Sequence, residues 1–443
     1  MKPDPNRHLL SRRTILAGAS SLAGATALQA PFVSRARAAD PVKIGLLHPT
    51  SGFYANAGKQ CRAGAELAIA DVNAAGGIAS LDGALVEAVN ADVESVPESA
   101  MEPVGDLDDA GVLGIVGAYA SGLALAASEA AAERNLAFCV DVGVSDQLVR
   151  RGLSNVFRLG PGYTQASLSL ADRIVDLGNE GKRVMIVHAD APYGRGVALR
   201  MKDVFEQVGI EVIEQVPTTV GIEDFRPIVR RIEAADPDVL VPAVFFEDYA
   251  NLVRAVKGGK TAPRLIASLF GGAASSPVFL AENGDIAEGI ADSCHWYDPG
   301  SPLQQKRIEA VRALDLPYGH EVFMAYNATR LLIDAIDNAG SHSREAVIAA
   351  LSLSRFAEHG MPYGPTQFQD GQNMGAAPAF TQVQDGEIKL VGPKQFAEAD
   401  LELQRPGDPP PPIAADGEPV DGSPSDTGAA AAEAAPADAA PAD

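Results

Sequence analysis

Ser121 stands at the mouth of a helical stretch, directly after the apolar run 112–116. A serine there can accept a hydrogen bond from a first-turn backbone N–H, and the free N–H groups with the helix dipole form an anion site. A plain helix cap would use the same residue. The turn Asp141-Val-Gly143-Val-Ser145-Asp146 follows the next apolar run, 136–140. Tyr193 lies in a Tyr-Gly-x-Gly turn, where an amphipathic ring can close over a ligand while its hydroxyl keeps a partner. Phe245, Phe246 and Glu247 end the run 238–244, so the two rings either belong to a core or line a cleft. Phe53 and Tyr54, in the first loop, and His295, Trp296 and Tyr297 are further candidates. Such a set suits binding a small polar molecule, not bond cleavage.

Motifs for harder chemistry fail on inspection. Gly258-Gly259-Lys260-Thr261 has Arg254 where a phosphate-binding loop needs its first glycine, and these glycines end a helix. The first strand-to-helix loop lacks the three spaced glycines of a dinucleotide site, and neither Gly-x-Ser-x-Gly nor His-Glu-x-x-His occurs. His48 and His188 sit at strand ends in different halves of the chain. The three cysteines, Cys61, Cys139 and Cys294, are too few for a disulfide framework and lack metal-type spacing. They are expected as buried thiols, with a Cys61 to Cys139 bridge as the alternative, and no metal or cofactor is expected.

These residues need elements to position them. Residues 42–47 form an apolar run short enough for a strand buried on both faces. From Gly58 the residues Cys61, Ala65, Ala68, Ile69 and Val72 recur at helical spacing, and Gly76-Gly77 end the helix. Strands are then expected at 84–89, 112–116 and 136–140, alternating with helices at 98–109 and 121–134; Pro103 requires a late start or a kink in the first of these. Residues 155–163, with Gly160-Pro161-Gly162, read as a crossing between lobes. Strands at 183–188, 211–216, 238–244 and 265–268 alternate with helices at 196–208, 225–234 and 248–256. The pattern predicts an α/β chain of two doubly wound parallel-sheet lobes with a ligand cleft between them.

The ends of the chain are of another kind. Arg7, Arg12 and Arg13 precede a weakly apolar stretch, and Ala36-Arg37-Ala38 offers small residues at a cleavage site, so 1–38 reads as an export signal. No later run reaches the roughly 18 apolar residues of a membrane helix. Residues 405–443 are Pro, Ala, Gly and acids and are expected to be disordered. A formal charge of −23 argues against nucleic acid as a partner.

The pattern Ser51-Gly52, Gly58, Gly64 and Asn73-Ala-Ala-Gly-Gly-Ile78, followed by Val156-Phe157-Arg158, Tyr193-Gly194-Arg195-Gly196 and Asp224-Phe225, resembles the leucine/isoleucine/valine-binding family of bacterial ABC-transporter receptors, the type I periplasmic binding proteins. The likeness spans roughly 41–393, and Ser11-Arg12-Arg13-Thr14-Ile15-Leu16 resembles the twin-arginine signal. The resemblance implies a three-segment hinge, with return crossings near 293–297 and 361–364, a first lobe of 41–157 plus 298–360 and a second of 163–292 plus 364–393. It also implies a monomeric periplasmic protein serving an ABC permease. It maps ligand contacts onto Ser121, the Gly143 carbonyl and the Ser145 hydroxyl, with Asp141 where proline is usual and Gly143 where alanine is usual. Leu269 falls where amino-acid-binding relatives carry the glutamate that neutralises the ligand ammonium. Glu247, Asp248 or Asp141 could replace that charge; otherwise the ligand is a carboxylate or aromatic acid. A sensor and an enzyme in the same shell are the alternatives to a transport receptor.

Overall fold

The computed structural model describes residues 40–178, 182–260 and 263–403, apart from the side chains of Pro192, Tyr193, Phe246, Glu247 and Ala273. The expected export signal and the acidic tail lie outside the described residues. In the first half, β1 (Val42–His48), α1 (Ala55–Ala74), β2 (Val86–Asp92), α2 (Met101–Asp109), β3 (Gly114–Gly117), α3 (Ser121–Ala132), β4 (Ala137–Val140), α4 (Gln147–Arg150) and β5 (Val156–Arg158) follow one another. In the second come α5 (Tyr163–Asp176), β6 (Arg183–Ala189), α6 (Pro192–Gln207), β7 (Glu211–Thr218), α7 (Arg226–Ala235), β8 (Val239–Ala243), α8 (Phe246–Lys257), β9 (Leu265–Leu269), α9 (Pro277–Ala287) and β10 (Ala291–Cys294). The chain then makes α10 (Pro302–Arg312), α11 (His320–Ala339), α12 (Arg344–Ser352), β11 (Phe368–Gln369), β12 (Gln372–Asn373), β13 (Ala379–Gln384) and β14 (Glu387–Gly392).

Two sheets result, ordered β11-β12-β5-β4-β3-β1-β2 and β14-β13-β10-β9-β8-β6-β7. The first five strands of each half pair in parallel in the order 2-1-3-4-5. The order reverses between β1 and β3 in one sheet and between β6 and β8 in the other. Loops on the carboxyl side of such a reversal part from each other and leave a crevice. Ser121 and the start of α8 stand at these two reversals.

Residues 155–163, expected as a crossing, contain β5, which pairs with β4. The first sheet also takes in β11 and β12, through Gln372 beside Arg158. Residues 368–373 therefore belong with the first sheet and not with the second lobe as expected, and the third crossing comes after them. Two-residue strands carry no periodicity to read; side chains hold them here, as Asn373 Nδ2 donates to the Leu159 carbonyl at 2.9 Å. Each sheet has seven strands where four were expected. Pro103 sits in the first turn of α2, after a short 3-10 turn, where its missing N–H is needed by nothing.

The core of the first lobe explains its small residues. Cys61, Gly64, Ala65 and Ala68 are buried on the face of α1 that meets α11. A Cβ on Gly64 would stand 2.2 Å from the Val322 carbonyl, so only glycine lets the two backbones approach this closely. Both helices run down from the carboxyl edge of the sheet, and Tyr326 Oη donates to Asp71 at 2.7 Å further along. Trp296 is buried in the same core, stacked on Tyr297 with ring centres 4.9 Å apart. All three cysteines are free and buried.

Candidate functional site

Three loops meet on one carboxylate at the carboxyl edge of the first sheet. Asp141, directly after β4, is 1% exposed. Its Oδ1 accepts from the backbone N–H of Tyr119 at 3.0 Å and of Val142 at 2.6 Å, while Oδ2 lies 3.0 Å from Nε2 of His48, the last residue of β1. The loop after β3 and the turn after β4 are thereby held together from beneath. Asp141 is a brace for the turn, not a group facing outward.

Ser121 does not cap its own helix. Its Oγ accepts from the backbone N–H of Val144 at 3.2 Å and of Ser145 at 3.1 Å. A serine hydroxyl has two acceptor positions and one proton, so the proton alone is left over for another molecule. The first-turn N–H groups of α3 lie beside it, with no side chain capping them. Ser121, Gly143 and Ser145 are thus brought together, as the resemblance implied. Gly143 is buried and Ser145 half-buried.

Arg158, at the end of β5, supports the turn from behind. It is 2% exposed, and its Nη1 donates to the Val144 and Ser145 carbonyls at 2.9 and 2.7 Å. Its Nε and Nη2 both donate to Gln372 Oε1, and Nη2 lies 3.5 Å from Asp146. Burial lowers its pKa to about 10, which leaves it charged at neutral pH. Arg158 stood in the sequence only as part of a motif; the partners that reveal its task come from residues 14 and 214 positions away.

Aromatic rings fill the flanks. Tyr54 packs edge-on against Tyr119, with centroids 5.7 Å apart, and Phe53 follows at 5.1 Å from Tyr54. Burial pushes the hydroxyl pKa of both Tyr54 and Tyr119 upward. From the second lobe, Phe270 leaves β9 with φ +51 and lies 4.7 Å from the His295 ring and 6.2 Å from Tyr163. Leu269 instead belongs to the core of that lobe, 3% exposed among Ala166, Leu170 and Ala267. Tyr193, Phe246 and Glu247 begin α6 and α8 at the crevice of the second sheet, but their side chains lie outside the described ones.

Two carboxylates of the second lobe are committed inward. Asp248 is 4% exposed and accepts from the Gly221 N–H at 3.0 Å. Asp292, fully buried, accepts from the N–H groups of Gly271 and Gly272 and from the Ser275 hydroxyl, and so anchors the loop that carries Phe270. Burial raises its pKa to about 6. Nothing local in the sequence marked it. On the first lobe, Glu321 at the start of α11 is close enough to raise the pKa values of Tyr119 and Cys61.

Two buried histidines give the protein a pH signature. His295 Nε2 faces the Val142 carbonyl at 3.4 Å, and burial lowers its pKa to about 3. A Cβ on Gly160 would stand 2.6 Å from this ring, so the crossing needs glycine there. His359 accepts from the Met361 N–H through Nδ1 and faces the Gly364 carbonyl through Nε2; burial lowers it to about 4. Both are neutral when folded and charge near pH 6.5 when unfolded, so the unfolded chain binds more protons and stability falls as pH drops from about 6.5 toward 3 to 4. Asp292 acts in the opposite sense between about 4 and 6. The melting temperature of His359→Gln should therefore fall less steeply than that of the parent between pH 6.5 and 4; parallel curves would contradict the assignment.

Comparison with known proteins agrees with this architecture. The model of the periplasmic binding protein family matches residues 41–387. A Leu/Ile/Val-binding protein homolog of Brucella melitensis is 25% identical over 394 residues, covering 86% of this chain and 98% of the relative. The leucine-, isoleucine-, valine-, threonine-, and alanine-binding protein of Pseudomonas aeruginosa is 27% identical over 332 residues, 74% of this chain and 86% of its own. Among solved structures, the branched-chain amino acid transporter substrate-binding protein LivJ of Streptococcus pneumoniae, in complex with isoleucine, shares the fold with a TM-score of 0.67 at 20% identity, over 82% of this chain and all of its own. A solute-binding protein of R. palustris in complex with benzoate has a TM-score of 0.64 at 20% identity, over 83% and 97%. No helix among the described residues is long and apolar enough to cross a membrane. With the match covering most of the chain and two parallel sheets of one strand order, the protein belongs to the periplasmic binding protein family.

Proposed function

We propose that this protein is the substrate-binding component of an ABC transporter. It takes an amino acid of the branched-chain type, or a close derivative, between its lobes and delivers it to a permease in the inner membrane. Residues 1–38 would direct it through the twin-arginine route to the periplasm. The observation that carries the reading is Ser121: with both acceptor positions used by the Val144 and Ser145 N–H groups, it meets a ligand only as a donor, beside the open N-terminus of α3. A carboxylate is the ligand group that suits it. Gly143, Ser145 and Tyr54 would complete the first-lobe contacts. Tyr193, Phe246 and Glu247 would add theirs from the second lobe on closure, with Leu269 behind Phe270.

A second reading rests on charge. Asp141 and Asp248 are bonded inward and Leu269 is in the core, which leaves Glu247, at the start of α8, as the remaining acid proposed for the ligand ammonium, with Glu321 as a first-lobe substitute. An ammonium in a closed cleft without a counter-charge is too costly to keep. If neither acid serves, the ligand is a carboxylate or aromatic acid set against Phe270 and Tyr163; the R. palustris protein of the same fold is in complex with benzoate. Calorimetric titration with leucine, its keto acid and benzoate separates the two. Leucine is expected to bind; tight binding of the keto acid or benzoate with none of leucine would establish the second reading instead.

A further inference from the structure

We propose that His48, Cys61 and Asp141 form a binding site for a zinc-type divalent cation beneath the turn 142–145. A ring nitrogen of His48, the Cys61 sulfur and an Asp141 carboxylate oxygen lie within 4.8 Å of one another, and all three residues are buried. Zinc bonds of about 2.0–2.3 Å place tetrahedral donors roughly 3.3–3.8 Å apart, so a closing movement of no more than about 1.5 Å brings all three onto one ion. Imidazole, thiolate and carboxylate together suit zinc or cobalt better than calcium or magnesium, which prefer oxygen alone.

Charge and hydrogen bonding point the same way. Among the described residues the only ion-pair partner of Asp141 is His48. A divalent ion would balance the Asp141 carboxylate and a Cys61 thiolate. Nδ1 of His48 has no hydrogen-bond partner although the residue is 0% exposed. Its Nε2 faces the Asp141 carboxylate, so a metal bound at that nitrogen would take the place of the proton the pair now shares. On binding, the imidazole proton rests on Nδ1, the thiol proton leaves for solvent, and one proton is released per ion.

Sequence spacing conceals such a site, because β1, α1 and the turn after β4 contribute one donor each. Occupancy would tie these three elements together directly under the Ser121 site. It does not depend on which solute the cleft takes.

The test uses the full mature chain, unfolded with chelator and refolded with Co²⁺ or Zn²⁺. Cobalt should bind once per chain and give a thiolate-to-metal charge-transfer band in the near ultraviolet. The band should persist in Cys139→Ala/Cys294→Ala, whose only thiol is Cys61, and vanish in Cys61→Ala. His48→Gln should weaken cobalt binding at least tenfold. Zinc should raise the melting temperature of the parent by several degrees and leave that of Cys61→Ala unmoved. No thiolate band in the parent, a band that survives Cys61→Ala, or an equal zinc shift in both chains would overturn the site.

Discussion

Arg158→Leu is expected to melt about 10 °C below the parent and to bind ligand more than tenfold less tightly. The substitution removes a buried cation whose fork joins the Val144 and Ser145 carbonyls to Gln372. It strands Gln372 Oε1, leaves the Val144 and Ser145 carbonyls with one backbone donor each, Tyr163 and Leu148, and leaves Asp146 to Thr164, Arg150 and Arg200. Breaking a buried charged network of this kind costs about 3–5 kcal/mol. In a lobe of this size each kcal/mol lowers the melting temperature by about 2–4 °C. Affinity falls with stability because the carbonyls that lose the guanidinium belong to the turn that presents Ser145. Arg158→Lys is the informative control: it keeps the charge but loses the planar fork, and should lie between parent and Leu variant. Differential scanning fluorimetry and calorimetric titration on the same samples check both effects. An Arg158→Leu chain that binds normally would show that the turn holds its shape unaided.

Ser121→Ala should weaken ligand binding about ten- to a hundredfold while leaving the fold intact. The lost bond to a charged group is worth roughly 1.5–3 kcal/mol. The variant also leaves the Val144 and Ser145 N–H groups without their acceptor, so the turn becomes less rigid. Ser121→Thr retains the hydroxyl and should recover most of the affinity. Unchanged binding by Ser121→Ala would move the carboxylate site elsewhere in the cleft.

The two variants act through different kinds of information. Ser121 was legible as a serine at the mouth of a helix, where a cap would use the same residue, and its ligand role came from the family resemblance. The same local logic read most strands and helices, since alternation of apolar runs and helical spacing reports burial directly. The parts that escaped were those with no local period. The strands β11 and β12, two residues each, exist only because Gln372 and Asn373 find partners on β5 and its exit. Residues 364–393 could not be divided between the sheets without those contacts.

The site shows the same division. Alternation of strand and helix placed the loops after 116 and 140 at the carboxyl edge of a parallel sheet, and the family resemblance implied that Ser121, Gly143 and Ser145 would meet there. Tertiary structure alone decided which atoms are left free. Asp141 looked able to meet a ligand charge, yet packing turns it inward to His48 and two backbone N–H groups. Leu269 looked like a cleft residue, but its place in β9 puts it in the core and sends Phe270 to the hinge. The difference is physical: backbone geometry is set largely by neighbours in sequence, whereas the hydrogen-bond partners of a buried side chain come from elements far away along the chain.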